Sequence, residues 1–175
     1  MSQTKFGNSM KNPRIGKVVV NISVGKSGEQ LQKAMTVLER LTDQKPCQRL
    51  AKKSVRDWGI RENEPIACIV TLRGDKAKEF LRKGLEVVGN KLPSSNFDCY
   101  GNFSFGIKEH IEIQGVRYEP SLGIFGMDFC IAMERPGYHV KRRRRSRAKI
   151  GRSHLLIPED AMVYMNETFG IEILE

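Results

Sequence analysis

The sequence predicts an α+β domain, a mostly antiparallel sheet with helices on one face and long basic loops. Strand-period segments, with apolar and polar residues alternating, recur in both halves of the chain. Helix-period segments follow the first two of them and occupy the C-terminal end, so strands and helices do not alternate as in a parallel α/β fold. At 175 residues the chain is one domain, 1–175, large enough to bury a core.

In order, Lys17 to Val24 reads as a strand, with Val18, Val20, Ile22 and Val24 on one face and Lys17, Val19, Asn21 and Ser23 on the other. Ser27, with Gln30 three residues on, gives a capping-box pattern for a helix carrying Leu31, Met35, Leu38 and Leu41, and Pro46 marks its stop. A basic, loop-like stretch, RLAKKSVRDWGIRENEP, precedes a second strand in which Ile66, Cys68, Val70 and Leu72 oppose Ala67, Ile69, Thr71 and Arg73. Asp75 is placed to N-cap a helix bearing Phe80, Leu81, Leu85 and Val88. Phe103, Phe105 and Ile107 alternate with Ser104 and Gly106, and Met127, Phe129, Ile131 and Met133 alternate with Asp128, Cys130 and Ala132. Pro158 opens a third helix through Met162, Met165 and Phe169, which Gly170 ends before a short IEIL segment. If these strands share a sheet, its bulky face packs on the helices. The opposite face then carries Asn21, Ser23, Thr71, Arg73, Ser104, Gly106 and Cys130, small and polar, suited to docking on a broad nucleic-acid surface or simply to solvent.

Charge is concentrated. From Arg135 to Ile157 there are nine Lys or Arg and no Asp or Glu; removing them from the 30 basic residues leaves 21 against 20 acidic ones. Nearly all of the +10 net charge therefore lies in one internal stretch. A polyanion relieves that self-repulsion by releasing its counterions. The run is followed by an element-forming segment, so it is not a tail, and Lys141 to Arg147 lacks the apolar face of a membrane-surface helix. RNA or DNA is the reading, with a nuclear import signal compatible with the same residues. A second cluster, Lys45, Arg49, Lys52, Lys53 and Arg56, precedes the single Trp, Trp58, and Arg61. Cations beside an aromatic pair phosphate contacts with stacking, although a Trp that anchors the loop on the core accounts for the pattern equally well.

Other classes are weaker. No run of eighteen apolar residues occurs, and the first residues lack the apolar stretch of a secretory signal. The four cysteines are 21 or more residues apart without a CxxC pair, and the three histidines have no metal-ligand spacing, so a reduced intracellular setting with no metal and no cofactor is expected. Val24-Gly25-Lys26-Ser27 imitates a P-loop, but Val20 stands where the motif needs its first glycine. Glu109-His110 is the nearest approach to a nuclease acid/base pair, and adjacent strand residues point to opposite faces. No catalytic residue is assigned. A free-standing RNA chaperone or nucleic-acid-binding module shares the charge map.

The segments VVVNISVG, AKKSVRDWGIRENEPIACIVTLRG, GNFSFGIKEH, YEPSLGIFGMDF and ERPG with the arginine run and IGRSH, in that order, resemble the 5S rRNA-binding L-five family of large-subunit ribosomal proteins. In eukaryotes its member is called L-eleven. The likeness runs from about Asn12 to the C-terminal end. GIFGMDF and the arginine extension resemble the archaeal and eukaryotic branch, and the whole looks eukaryotic. The resemblance implies a structural constituent of the central protuberance, partnered by 5S rRNA, large-subunit rRNA, a second 5S-binding ribosomal protein, P-site tRNA and a small-subunit head protein at an intersubunit bridge. It implies 5S contacts from Asn21, Gln44, Trp58 and Thr71; Ser23 and Arg73 join them as neighbours on the open face. The loop of Lys52, Lys53, Arg56, Arg61 and Asn63 matches the one that reaches toward P-site tRNA. Other rRNA contacts fall on Lys141, Arg142, Arg143, Arg144, Arg145, Arg147, Lys149 and Arg152, within a basic extension spanning 136–154. Trp58 stands where Phe is usual, Gly59 where bacterial members often carry a basic residue, and Gln114 resembles a one-residue insertion. A flexible segment over 1–14 is expected. The implied location is the cytoplasmic ribosome, with nuclear and nucleolar passage in a eukaryote.

Overall fold

Strand β1 (Arg14–Ser23) is the centre of the fold because its alternation leaves Val18, Val20 and Ile22 almost wholly buried. In the computed structural model, which describes residues 8–174, it is followed by α1 (Glu29–Thr42), β2 (Cys47–Leu50), β3 (Pro65–Leu72) and α2 (Gly74–Val87). Then come β4 (Lys91–Pro93), β5 (Phe103–Ile107), β6 (Met127–Glu134), α3 (His139–Arg142), α4 (Pro158–Phe169) and β7 (Glu172–Leu174). Of the expected flexible segment over 1–14, residues 1–7 lie outside the described residues; Ser9–Lys11 forms a 3-10 turn and Arg14 opens β1.

Five strands form one antiparallel sheet in the order β2-β3-β1-β6-β5, and β4 and β7 form a separate parallel pair. The helices cover one face. From α1 Leu31, Ala34 and Leu38 are buried, and from α2 Ala77, Phe80, Leu81 and Leu85. Phe129 lies between Phe80 and Phe105, with ring centroids 5.3 and 4.9 Å away. Gly84 admits that stack: a Cβ there would stand 2.8 Å from the Phe129 ring. Ala161 and Met165 of α4 close the far end of the core.

Several local expectations are corrected. The capping box at Ser27 and Gln30 does not form. Gly28, at φ +106°, takes the cap position and the Ser27 hydroxyl donates instead to Glu64 at 2.5 Å. A hydrogen bond to an ionised carboxylate is stronger than one between a hydroxyl and a neutral helix-end amide. Asp75 sits at the second position of α2, pairing with Lys78 at 3.2 Å, and Arg73 occupies the cap in extended conformation. Part of the loop-like basic stretch is strand: β2 pairs with β3 from Cys47 opposite Ile69 to Leu50 opposite Pro65. Its residues are all exposed, so hydrophobic alternation carries no signal there. Glu109 and His110 begin a 3-10 turn rather than lying in a strand.

Candidate nucleic-acid interface

The uncovered sheet face is assembled by cross-strand register. Asn21 stands opposite Ile69 on one side and Asp128 on the other, Val19 between Thr71 and Cys130, Ser104 opposite Cys130 and Gly106 opposite Asp128. Ser104, Gly106, Asp128 and Cys130 are exposed, Asn21 and Thr71 half-buried. Asn21 Nδ2 donates to Ser23 Oγ at 2.9 Å and to Asp128 Oδ2 at 3.4 Å, which aims the amide across the face. A shallow concavity of about 460 Å³ over Val19, Asn21, Ser104 and Cys130 continues into one of about 410 Å³ over Lys17, Asn102 and Ala132. The face is thus an extended trough in which Asn21, Ser104 and Asp128 offer hydrogen-bonding groups among apolar side chains such as Val19 and Ile69.

At one edge of the trough, Arg73 is exposed just past the end of β3, and Gln44 is half-buried beyond Asp43, whose left-handed backbone (φ +50°) ends α1. The loop between β2 and β3 projects from the opposite end of these two strands. It is folded rather than slack: Val55 and Ile60 exchange backbone hydrogen bonds of 2.9 and 3.1 Å, and Ala51 bonds to both Glu64 and Asn63. Gly59 at φ +66° and Asn63 at φ +64° supply its turns. Glu64 ties its base to the start of α1, accepting from the Ser27 hydroxyl and from the Arg61 amide at 3.1 Å. Those donors, Ser27 first, hold the Glu64 carboxyl below the ordinary carboxylate range. Lys52, Lys53, Arg56, Arg61 and Asn63 are all exposed on this loop. Trp58 is 73% exposed, so the core-anchor reading of this residue fails and its ring is presented to solvent.

The basic extension is built on an anchor. Arg135, 5% exposed, donates to Leu155 O at 2.9 Å and pairs with Asp160 of α4. The Tyr138 hydroxyl accepts from Leu156 N at 2.9 Å, and His154 Nε2 meets Pro136 O at 2.8 Å. Above this base Arg143 Nε donates to Ser146 O at 2.7 Å and Arg147 Nε to Lys141 O at 2.6 Å, curling the run into a compact loop. Arg142 reaches back to Glu134 at 2.5 Å, which also receives Arg14 at 2.9 Å. Gly16 makes room for this carboxylate, since a Cβ would meet it at 2.9 Å. Of the nine cations, Arg135 and Arg142 are thus paired with carboxylates. Lys141, Arg143, Arg144, Arg145, Arg147, Lys149 and Arg152 have no ion-pair partner among the described residues.

Catalytic chemistry finds no support in the remaining residues. His110 is 4% exposed, its Nδ1 accepts the Phe125 amide at 3.2 Å, and burial lowers its pKa. Among the described residues no group of His, Cys, Asp and Glu could hold a metal ion, and no helix is long and apolar enough to cross a membrane. Sequence reasoning overlooked Asp128 as a neighbour of Asn21, although its alternation with Met127 and Phe129 places it on the open face. Lys17, placed by alternation on the same face as Asn21 and Ser23, and Tyr100, 57% exposed, also border the trough; Tyr100 lay in no pattern that distinguishes a site from a surface.

The family model described as Ribosomal protein L5 matches residues 8–61, and the model for the C-terminus of the same ribosomal family matches residues 65–173. The chain is 48% identical to the large ribosomal subunit protein uL5 of Sulfurisphaera tokodaii over 100% of its own length and 99% of the relative's. It is 52% identical to that of Aeropyrum pernix, covering 93% and 85% of the two chains. With that of Nitrosopumilus maritimus it shares 44% identity over 99% of each.

Proposed function

Because the chain belongs to the L5 family of large-subunit ribosomal proteins, we propose that its open sheet face holds 5S rRNA while its two cationic loops contact other RNA of the ribosome. The protein is a ribosomal constituent and not an enzyme. The observation that carries the finer reading is the continuous, uncovered trough, with Asn21, Ser104 and Asp128 among apolar side chains, flanked by two folded loops rich in cations. A-form RNA is read by shape, by 2′-hydroxyls and by splayed bases, and small hydrogen-bonding side chains on a broad surface admit all three. Asn21, Ser23 and Thr71 meet the backbone and hydroxyls of 5S rRNA, with Gln44 and Arg73 at the margin. Trp58 offers its exposed ring for stacking. Lys52, Lys53, Arg56, Arg61 and Asn63 extend toward P-site tRNA. The extension from Lys141 to Arg152 neutralises phosphates of large-subunit rRNA.

In this reading the protein sits in the central protuberance beside a second 5S-binding ribosomal protein and helps bridge to the small-subunit head. It acts on cytoplasmic ribosomes, after nuclear and nucleolar passage if the cell is eukaryotic. The test is a gel-shift titration of 5S rRNA with excess tRNA as competitor, at two salt concentrations. Retention of 5S rRNA under competition is the expected result. Equal loss to tRNA would overturn the 5S assignment and leave a general RNA-binding module held by charge alone.

A further inference from the structure

Where the trough meets the basic extension it deepens into a groove of about 740 Å³, lined by Tyr100, Lys17, Lys141, Arg147, Lys149 and Ile150 among others. Volumes of this order accommodate a single small organic ligand. Three features give the groove a chemical identity. The first is a preset aromatic. Tyr100 is 57% exposed, yet the loop that carries it is held by hydrogen bonds. Asp98 accepts from the amides of Tyr100 and Asn102 at 2.8 and 2.7 Å and from Asn102 Nδ2 at 2.8 Å. Gly101 beneath it lies so close to α4 that a Cβ would stand 2.9 Å from Ala161. The Tyr100 ring has no ring or cation partner among the described residues.

The second feature is charge. Lys17, Lys141 and Lys149 have no carboxylate partner among the described residues, and Arg147 uses only its Nε, on Lys141 O. The single carboxylate lining the groove, Glu134, is already met by Arg14 and Arg142, so the groove is positive. The third is an apolar part of the lining, from Ala132, Ile150 and Leu155, which a polyphosphate alone would not use. An aromatic face, an apolar part of the lining and a set of cations match a base with its attached phosphates.

We propose that this groove takes one unstacked nucleotide of the bound RNA, its base on the Tyr100 ring and its phosphates on Lys17, Lys141, Arg147 and Lys149. The proposal rests on the rRNA-binding reading and adds to it a stacking residue and a requirement for an unpaired base. Stacking is indifferent to base identity, so the groove selects single-stranded or bulged RNA over continuous duplex.

The experiment uses the full chain with two probes, a short oligouridylate and a blunt RNA duplex of equal charge. Tyr100→Ala is expected to weaken oligouridylate binding by about tenfold, with duplex affinity and the salt slope unchanged, while Tyr100→Phe behaves as wild type. Tyr100→Leu, which keeps bulk without an aromatic face, repeats the comparison should alanine disturb the loop. No change with oligouridylate, or equal weakening with both RNAs, overturns the proposal. So does an oligoglutamate peptide whose binding depends on Tyr100 when that of oligouridylate does not, which would give the groove to an acidic protein segment. The preference of the wild type for 5S rRNA over tRNA is measured alongside. Preserved preference without a Tyr100 effect removes the groove alone; a Tyr100 effect without that preference supports the groove and removes the 5S reading.

Discussion

At the scale of single residues, the open face makes two demands on each side chain: to fit a strand and to leave a polar group reachable. Thr71 meets both, with a β-branched shape suited to β3 and a hydroxyl on the uncovered side, opposite Val19. Thr71→Val keeps the shape and removes the hydroxyl. It is expected to cost about 1 kcal/mol of 5S rRNA affinity with the melting temperature unchanged. Equal affinity in a filter-binding assay would take Thr71 out of the contact set. Gly84 makes the opposite demand, for the absence of a side chain, because α2 rides directly on the Phe129 ring. Gly84→Val should lower stability by about 1–3 kcal/mol in denaturant unfolding through overpacking, helix propensity notwithstanding. A neutral result would mean that the aromatic stack can shift.

Elements carry the loops, and each loop is held by a carboxylate at its base. Glu64 fastens the β2–β3 loop through Ser27 and Arg61. Its pKa is lower in the folded protein than in the unfolded chain, so its contribution is complete above the ordinary carboxylate pKa. It fades as pH falls through the lowered folded value. Hydrogen-exchange protection of the Arg61 amide should therefore be lost on acidification and be absent at neutral pH in Glu64→Ala; protection insensitive to both would show that Glu64 does not hold the loop. Asp160 plays the same part for the extension, through its pair with the buried Arg135. Asp160→Ala strands the Arg135 guanidinium in the core and is expected to destabilise the fold by about 3 kcal/mol. Unfolding that moves by less than about 1 kcal/mol would demote the pair to a surface interaction.

Over the whole molecule, the charge separates from the core. The sheet and helices are nearly neutral, and the excess of cations stands on two loops that the fold pins at the margins of one face. Replacing Lys141, Arg143, Arg144, Arg145 and Arg147 with Gln should weaken binding to all RNAs. It should also flatten the dependence of log K on log salt by about 0.7 to 0.9 for each phosphate that the run no longer neutralises. An unchanged slope in titrations across salt would reject phosphate contact by these cations.

By itself the sequence determined what period and charge can express. Val18, Val20 and Ile22 against Asn21 and Ser23 settle which face of β1 is buried, because a side chain on a strand has only two directions. Pro158 and Gly170 set the ends of α4 through backbone conformation alone. The nine-cation run is equally local, a property of composition. Tertiary structure decided what depends on partners distant in the chain. β2 exists because β3 accepts its backbone, and its exposed side chains hold no trace of that. Ser27 leaves its helix for Glu64, 37 residues on. Trp58 points to solvent because the Val55–Ile60 bridge lifts its turn off the core. Tyr100 comes to border the arginine run because strand register and Asp98 bring them together. Periodicity records which way a residue faces; only pairing decides what it faces.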